Sequence, residues 1–168
     1  MNIISYIHFL FSIFINLYPF IIPKNKYDYL YIYYIILLNL SWMIFNGECI
    51  ISLILKIKEN NNYKIGSKVS ADDIKELIGN KLFNIYIYLC LIFSSLSYFY
   101  VIYRNNYQEY LYIFLLFSIT YGYFYLTFKN QNELLKYKIF KIFKYIFIFI
   151  SIIFIILFTN YLYKNKKF

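Results

Sequence analysis

Five long apolar segments constrain this chain more than any other feature of its sequence. A helix needs about 20 mainly apolar residues to cross the roughly 30 Å hydrocarbon core of a bilayer, where it satisfies its own backbone hydrogen bonds. The segments that meet this requirement are residues 3–22, 29–55, 82–103, 110–128 and 139–163. The sequence therefore predicts an all-α, polytopic transmembrane helical bundle of four to five spans, forming one domain over residues 1–168.

Composition excludes an ordinary soluble domain. The chain is 62% hydrophobic and 15% charged, whereas soluble domains are about 45–50% apolar and about 25% charged. The 23 Tyr and 19 Phe, with abundant Ile, Asn and Lys, are what an AT-rich genome encodes, so aromatic content alone does not indicate a function.

The distribution of Lys and Arg predicts the orientation. No basic residue precedes the first segment and no small-residue cleavage site follows it, so we expect an uncleaved anchor rather than a signal peptide. With five spans, the side that holds the N-terminus carries 11 Lys and Arg, against 6 on the opposite side. The positive-inside rule then places the N-terminus in the cytoplasm, although the basic C-terminal tail opposes this orientation.

The connection after the second segment predicts a short amphipathic helix at residues 70–79. Ser70 suits the N-cap, Asp73 suits the first turn, and Gly79 can end the helix. The spacing of Ile74, Leu77 and Ile78 places them on one face. We expect this helix to lie at the cytoplasmic interface or on the bundle, as a docked connector or a partner-binding helix.

The second segment contains an unusual set of polar residues. At 100° per residue they form a polar half-cylinder, which should face the bundle interior or a wet cavity because unpaired polar groups are costly in hydrocarbon. The candidate functional residues on this face are Asn39, Trp42, Asn46, Glu48, Cys49 and Ser52.

Two of these residues could carry chemistry. Glu48 could be a proton carrier, a cation ligand or a catalytic acid, or it could be a structural partner of Lys56 or another basic residue. Cys49 could be a thiol nucleophile or a palmitoylation site, but it has no His or Cys near it in sequence. The sequence therefore favours a buried, small apolar role for Cys49, a packing role for Cys90, and a role as a packing residue or an interfacial anchor for Trp42.

Familiar site motifs are absent from the sequence. His8 stands alone in the first segment, and no metal-binding spacing, phosphate-binding glycine loop or G-x-S-x-G motif occurs. We expect no cofactor, no metal and no disulfide between Cys49 and Cys90.

The start of the fifth segment is basic. Its lysines lie near a predicted membrane face, where attraction to anionic lipid headgroups contributes about 1 kcal/mol per cation. The residues assigned to headgroups are Lys136, Lys138, Lys141 and Lys144. The expected partners are therefore the lipid bilayer and other membrane proteins or further copies of this chain, and not nucleic acid.

One stretch carries a resemblance. Trp42, residues 46–52 and residues 62–66 together resemble a pattern in uncharacterised small multi-pass membrane proteins of large DNA viruses and related environmental sequences. There, a Trp precedes an Asn/Gly-Glu-Cys core, and a polar Asn-Tyr-Lys loop follows it. The match covers about 25 residues of 168 and implies a viral origin and a host or viral internal membrane, without implying any catalysis.

Three functions follow from these observations. The first is a non-enzymatic structural or accessory subunit of a membrane assembly, favoured because five spans leave no room for a soluble catalytic domain. The second is a small transporter or channel subunit that uses Glu48 on the polar face. The third is a membrane-embedded enzyme that uses Glu48 and Cys49.

Overall fold

The structure is a computed structural model that describes residues 3–66, 71–127 and 136–165. These residues form seven helices and no β-strand, which confirms the all-α class. The helices are α1 (Ile3–Ile21), α2 (Asp28–Ile44), α3 (Ile50–Glu59), α4 (Asp72–Ile78), α5 (Asn80–Asn105), α6 (Tyr110–Thr127) and α7 (Lys138–Lys164).

Three of these helices, α1, α5 and α7, are long and apolar enough to cross a membrane. Helices α2 and α6 are also apolar but shorter. Large apolar side chains point outward along the bundle, among them Ile3, Leu116 and Phe149. Such an exposed apolar surface is typical of a protein that faces lipid.

Consecutive long helices run in opposite directions, which gives the bundle two ends. The end called here the His8 end holds the starts of α1, α5 and α7 together with α3 and α4, as the contact between His8 and Asp73 illustrates. The opposite end, called the Asp28 end, holds the connections that follow α1 and α5. The core between α2, α5, α6 and α7 is largely aromatic, and Phe114 contacts Tyr98 and Phe147.

The Asp28 end is held together by a buried ion pair. The side chain of Asp28 is 0% exposed and accepts two hydrogen bonds from Arg104, from Nε at 2.8 Å and from Nη2 at 2.6 Å. Arg104 Nη1 also donates to the carbonyls of Pro19 and Ile22 at the end of α1. The pair therefore joins α1, α2 and α5.

The expected single helix over residues 29–55 is instead two helices separated by a turn. Asn46 and Gly47 have φ values of 53° and 82°, in the left-handed region. The Gly47 N–H donates to the Trp42 carbonyl, which ends α2 with the geometry common after a helix C-terminus. Asn and Gly adopt this conformation more easily than other residues, so the Asn-Gly pair breaks the helix. The continuous polar half-cylinder expected from residue 39 to residue 56 is therefore wrong.

The helix predicted at residues 70–79 is α4, which covers Asp72–Ile78. Its expected N-cap, Ser70, lies outside the described residues. Asp73 is in the first turn, and Gly79 follows the helix with a φ of 81°. Ile74 is 1% exposed because α4 packs against α1 and α5.

Candidate active site

Three side chains from three different elements meet at the His8 end. Cys49 Sγ lies 3.3 Å from His8 Nε2, and His8 Nδ1 lies 2.8 Å from Asp73 Oδ2. Cys49 and His8 are 4% and 8% exposed. The arrangement is therefore a buried row of thiol, imidazole and carboxylate.

Local structure explains how each side chain is positioned. Cys49 is the N-cap of α3, because the Asn46-Gly47 turn ends α2 and lets a new helix begin. His8 lies in the second turn of α1. Asp73 lies in the first turn of α4, where the helix dipole favours a negative charge. The docking of α4 against α1 places this carboxylate beside the imidazole.

A hydroxyl group also orients Asp73. Ser52, one turn after Cys49 in α3, donates a short hydrogen bond to Asp73 Oδ1 while His8 occupies Oδ2. Burial acts to raise the pKa of Asp73, but the hydrogen bonds from His8 and Ser52 outweigh it and hold this pKa below its usual value. The carboxylate is therefore ionised at neutral pH.

The row has the order of a nucleophile, a base and an orienting acid. When the Nδ1–H of His8 donates to Asp73, the Nε2 lone pair faces the Cys49 thiol and can accept its proton. The first helical hydrogen bond of α3 runs from Leu53 N–H to the Cys49 carbonyl. The amides of residues 50–52 therefore precede the helical ladder, where N–H groups can stabilise an oxyanion.

A cavity of about 140 Å³ adjoins this row. Cys49 and His8 contribute to its wall, and the rest of the wall comes mainly from α1, α2, α5 and α6. Asn39 and Trp42, two of the predicted residues, also line the cavity. Asn39 donates to the Ile35 carbonyl of its own helix, and Trp42 packs against Tyr125 with ring centroids 6.2 Å apart.

In the described contacts, Glu48 belongs to a separate, structural cluster. Its side chain is 0% exposed, and Lys56 Nζ lies 3.5 Å from its Oε2 atom, the ion pair considered from the sequence. Tyr63 and the Gly66 N–H both donate to the other carboxylate oxygen. Lys56 also pairs with Asp72 at 2.9 Å, so the cluster joins α3, the loop after it and α4.

The lysines assigned to lipid headgroups divide into two groups. Lys136, Lys138 and Lys141 are exposed. Lys144 instead turns inward and donates to Asn46 Oδ1 at 2.6 Å. It lies between the buried residues Phe140 and Phe147 on the inner face of α7, and its side chain reaches the Asn46-Gly47 turn.

Sequence reasoning did not connect His8 and Asp73 to Cys49. Cys49 lies 41 positions from His8 in the sequence, and Asp73 lies 65 positions from His8, so no local spacing reveals these contacts. The signal that could have indicated His8 is its position, because an ionisable residue within an apolar span is a functional candidate by default. Within the described residues, no group of three His, Cys, Asp or Glu side chains could hold a metal ion.

Comparisons with protein-family models, with curated proteins and with solved structures found no match to this chain. The resemblance to small viral membrane proteins therefore stays a prediction.

Proposed function

We propose that this protein is a membrane-embedded cysteine enzyme that transfers or hydrolyses acyl groups. The observation that supports the proposal is the buried row of Cys49, His8 and Asp73 beside a cavity. It favours the third function considered from the sequence, with His8 and Asp73 in place of Glu48. The carboxylate of Glu48 is occupied by three donors, which leaves it poorly suited to a transport path.

The mechanism begins with transfer of the Cys49 thiol proton to His8 Nε2. The sulfur attacks the carbonyl carbon of an ester or thioester, and the amides at the start of α3 stabilise the oxyanion. The bond from the carbonyl carbon to the leaving group then breaks, and His8 returns the proton to that group. Water, an alcohol or an amine next attacks the acyl-Cys49 thioester and gives its proton to His8. The bond from the carbonyl carbon to the sulfur then breaks, and His8 returns the proton to the Cys49 sulfur. Asp73 holds the imidazole in the required tautomer throughout.

We also propose that α2 and α6 cross the bilayer together with α1, α5 and α7, giving five spans and a cytoplasmic N-terminus. The alternating direction of these five helices supports this arrangement, as does the greater number of basic residues at the His8 end. The row would then lie near the cytoplasmic face, within reach of substrates in that leaflet.

The test uses the full chain purified in mild detergent and p-nitrophenyl hexanoate as the substrate. We expect release of p-nitrophenol and a hexanoyl adduct on Cys49, detected by mass spectrometry of the intact protein and of its peptides. Cys49→Ala should abolish both signals, although Cys90 remains as a second thiol. His8→Gln and Asp73→Asn should each slow acylation by about 10²-fold or more.

Thr120→Ala is the matched control, because the Thr120 hydroxyl is exposed on α6 and bonds only to its own helix in the described contacts. This variant should retain the parental rate. Equal acylation of Cys49 in the parent and in His8→Gln, or acylation of Cys90 in its place, would refute the proposal.

A further inference from the structure

We infer that the cavity beside Cys49 is an acyl pocket that takes a single unbranched chain of about six carbons. This inference rests on the proposed function, because the chain would be delivered as the acyl group carried by Cys49. It adds the substrate class, which the row of catalytic side chains does not specify.

The cavity follows α1 for about two helical turns. The α1 residues that line it are His8, Ser12, Ile15 and Asn16, which lie on one face of the helix. Eight residues of helix separate His8 from Asn16, a rise of about 12 Å at 1.5 Å per residue. The cavity therefore extends from the catalytic row about two turns into the bundle.

The volume limits what this length can hold. The cavity measures about 140 Å³, and a cavity of about 150 Å³ holds one benzene molecule. A volume of this size distributed over two helical turns leaves a narrow channel. We therefore infer that it takes one extended chain of about six carbons in preference to branched chains, bulky rings or the long chains of membrane lipids.

The walls favour an apolar chain because most of their polar groups are already bonded. Ser94 donates to the Leu91 carbonyl, Ser118 donates to the Phe114 carbonyl, and Asn39 is bonded to its own helix in the same way. Ile15 and Leu91 supply apolar surface between them.

Asn16 marks the far end of the channel. Its Nδ2 group donates to the Ser12 carbonyl, whereas its Oδ1 atom is buried and has no hydrogen-bond partner in the described part of the chain. Native proteins leave few such atoms without a partner. A chain that reaches Asn16 with a terminal hydroxyl group would supply the missing donor, so ω-hydroxyacyl esters should react faster than unsubstituted esters of the same length, and Asn16→Leu should remove that preference.

Two neighbouring residues offer opposite changes of channel width. A Cβ atom added at Gly122 would collide with the Leu91 side chain, and both residues line the cavity. Gly122→Ala should therefore push Leu91 into the channel, whereas Leu91→Ala should widen it. One methylene group in an apolar pocket changes substrate discrimination by about 10-fold or more.

The experiment measures acylation of Cys49 by p-nitrophenyl acetate, hexanoate and decanoate in the parent and in both width variants. In parallel, ethyl, hexyl and decyl methanethiosulfonates modify the same thiol by forming a disulfide, which requires access to Cys49 but no acyl transfer. In the parent, we expect the rate of acylation and the rate of disulfide formation at Cys49 both to be highest with the six-carbon reagent. Leu91→Ala should weaken the discrimination against ten carbons, whereas Gly122→Ala should strengthen that discrimination and move the peak to two carbons.

The two series separate the inference from the proposed function. A methanethiosulfonate peak at six carbons without any acylation would support the pocket and refute the enzyme. Acylation that is indifferent to chain length, or fastest with decanoate in the parent, would overturn the pocket while the enzyme stands. If neither reagent series depends on chain length and no ester reacts, both proposals are wrong.

Discussion

Removing the charge of Asp28 should destabilise the bundle strongly. Asp28→Asn preserves the shape of the side chain but leaves the guanidinium of Arg104, which is 7% exposed, without its counter-charge. Breaking one side of a buried ion pair costs about 3–5 kcal/mol. The two charge-assisted hydrogen bonds, at 2.8 Å and 2.6 Å, give a similar figure at about 1.5–3 kcal/mol each. For a chain of this size, the melting temperature should fall by roughly 10 °C.

The assay is thermal unfolding of the full chain in mild detergent, followed by circular dichroism. Tyr33→Phe is the control, because it removes an exposed hydrogen bond to Thr159 and should change stability by less than about 0.5 kcal/mol. The double variant Asp28→Leu with Arg104→Met should recover much of the loss, since replacing both partners removes the unpaired charge. A loss below about 1 kcal/mol in Asp28→Asn would show that this reasoning about the ion pair is wrong.

The remaining predictions concern the His8 end. Gly66→Ala should lower the free energy of unfolding by about 1–3 kcal/mol, because φ is +83° there and the new Cβ would lie 3.0 Å from the Asn46 Cβ. Unfolding in denaturant measures this loss. Lys56→Met should cost about 3 kcal/mol by leaving Glu48 buried without its counter-charge, and adding Glu48→Gln should recover part of the loss in the same assay. The third prediction concerns acid. Because the folded pKa of Asp73 lies below its usual value of about 3.9, its stabilising contribution is present above that pH and is lost as pH falls through the folded pKa. The difference between the free energies of unfolding at pH 6 and at pH 3 should therefore be smaller in Asp73→Asn than in the parent.

The long helices could be predicted closely because an apolar run is a local property. The third segment, expected at 82–103, is α5 at Asn80–Asn105, and the fifth, expected at 139–163, is α7 at Lys138–Lys164. The apolar length of the second segment does not predict its break. The Asn46-Gly47 pair is a local turn signal, so it contained the information needed to find the break.

The candidate site could be predicted only in part. Cys49 and Ser52 were identified from their place in an apolar segment, and both belong to the site. Their partners could not be identified, because Cys49 meets His8 across 41 positions and Ser52 meets Asp73 across 21 positions. Contacts of this kind depend on how helices pack, which hydrophobic periodicity does not specify. The contact between Lys144 and Asn46 could not be predicted for the same reason, because Asn46 lies on another element.

A purely structural role is the strongest competitor to the proposed enzyme, and Cys49 distinguishes the two. The contacts from His8 and Ser52 to Asp73 are sufficient to tether α4 to α1 and α3. Such a tether gains little from Cys49, since a thiol is a weak hydrogen-bond donor and its contact with His8 is 3.3 Å long.

If the cluster were only a tether, Cys49→Ser would be an ordinary small substitution and the thiol would react like that of Cys90. If the row is catalytic, Cys49→Ser changes the free energy of unfolding by less than about 1 kcal/mol but loses ester turnover. Asp73→Asn lowers both the free energy of unfolding and the turnover. A Cys49→Ser variant that keeps full turnover would leave the tether as the only role of these residues.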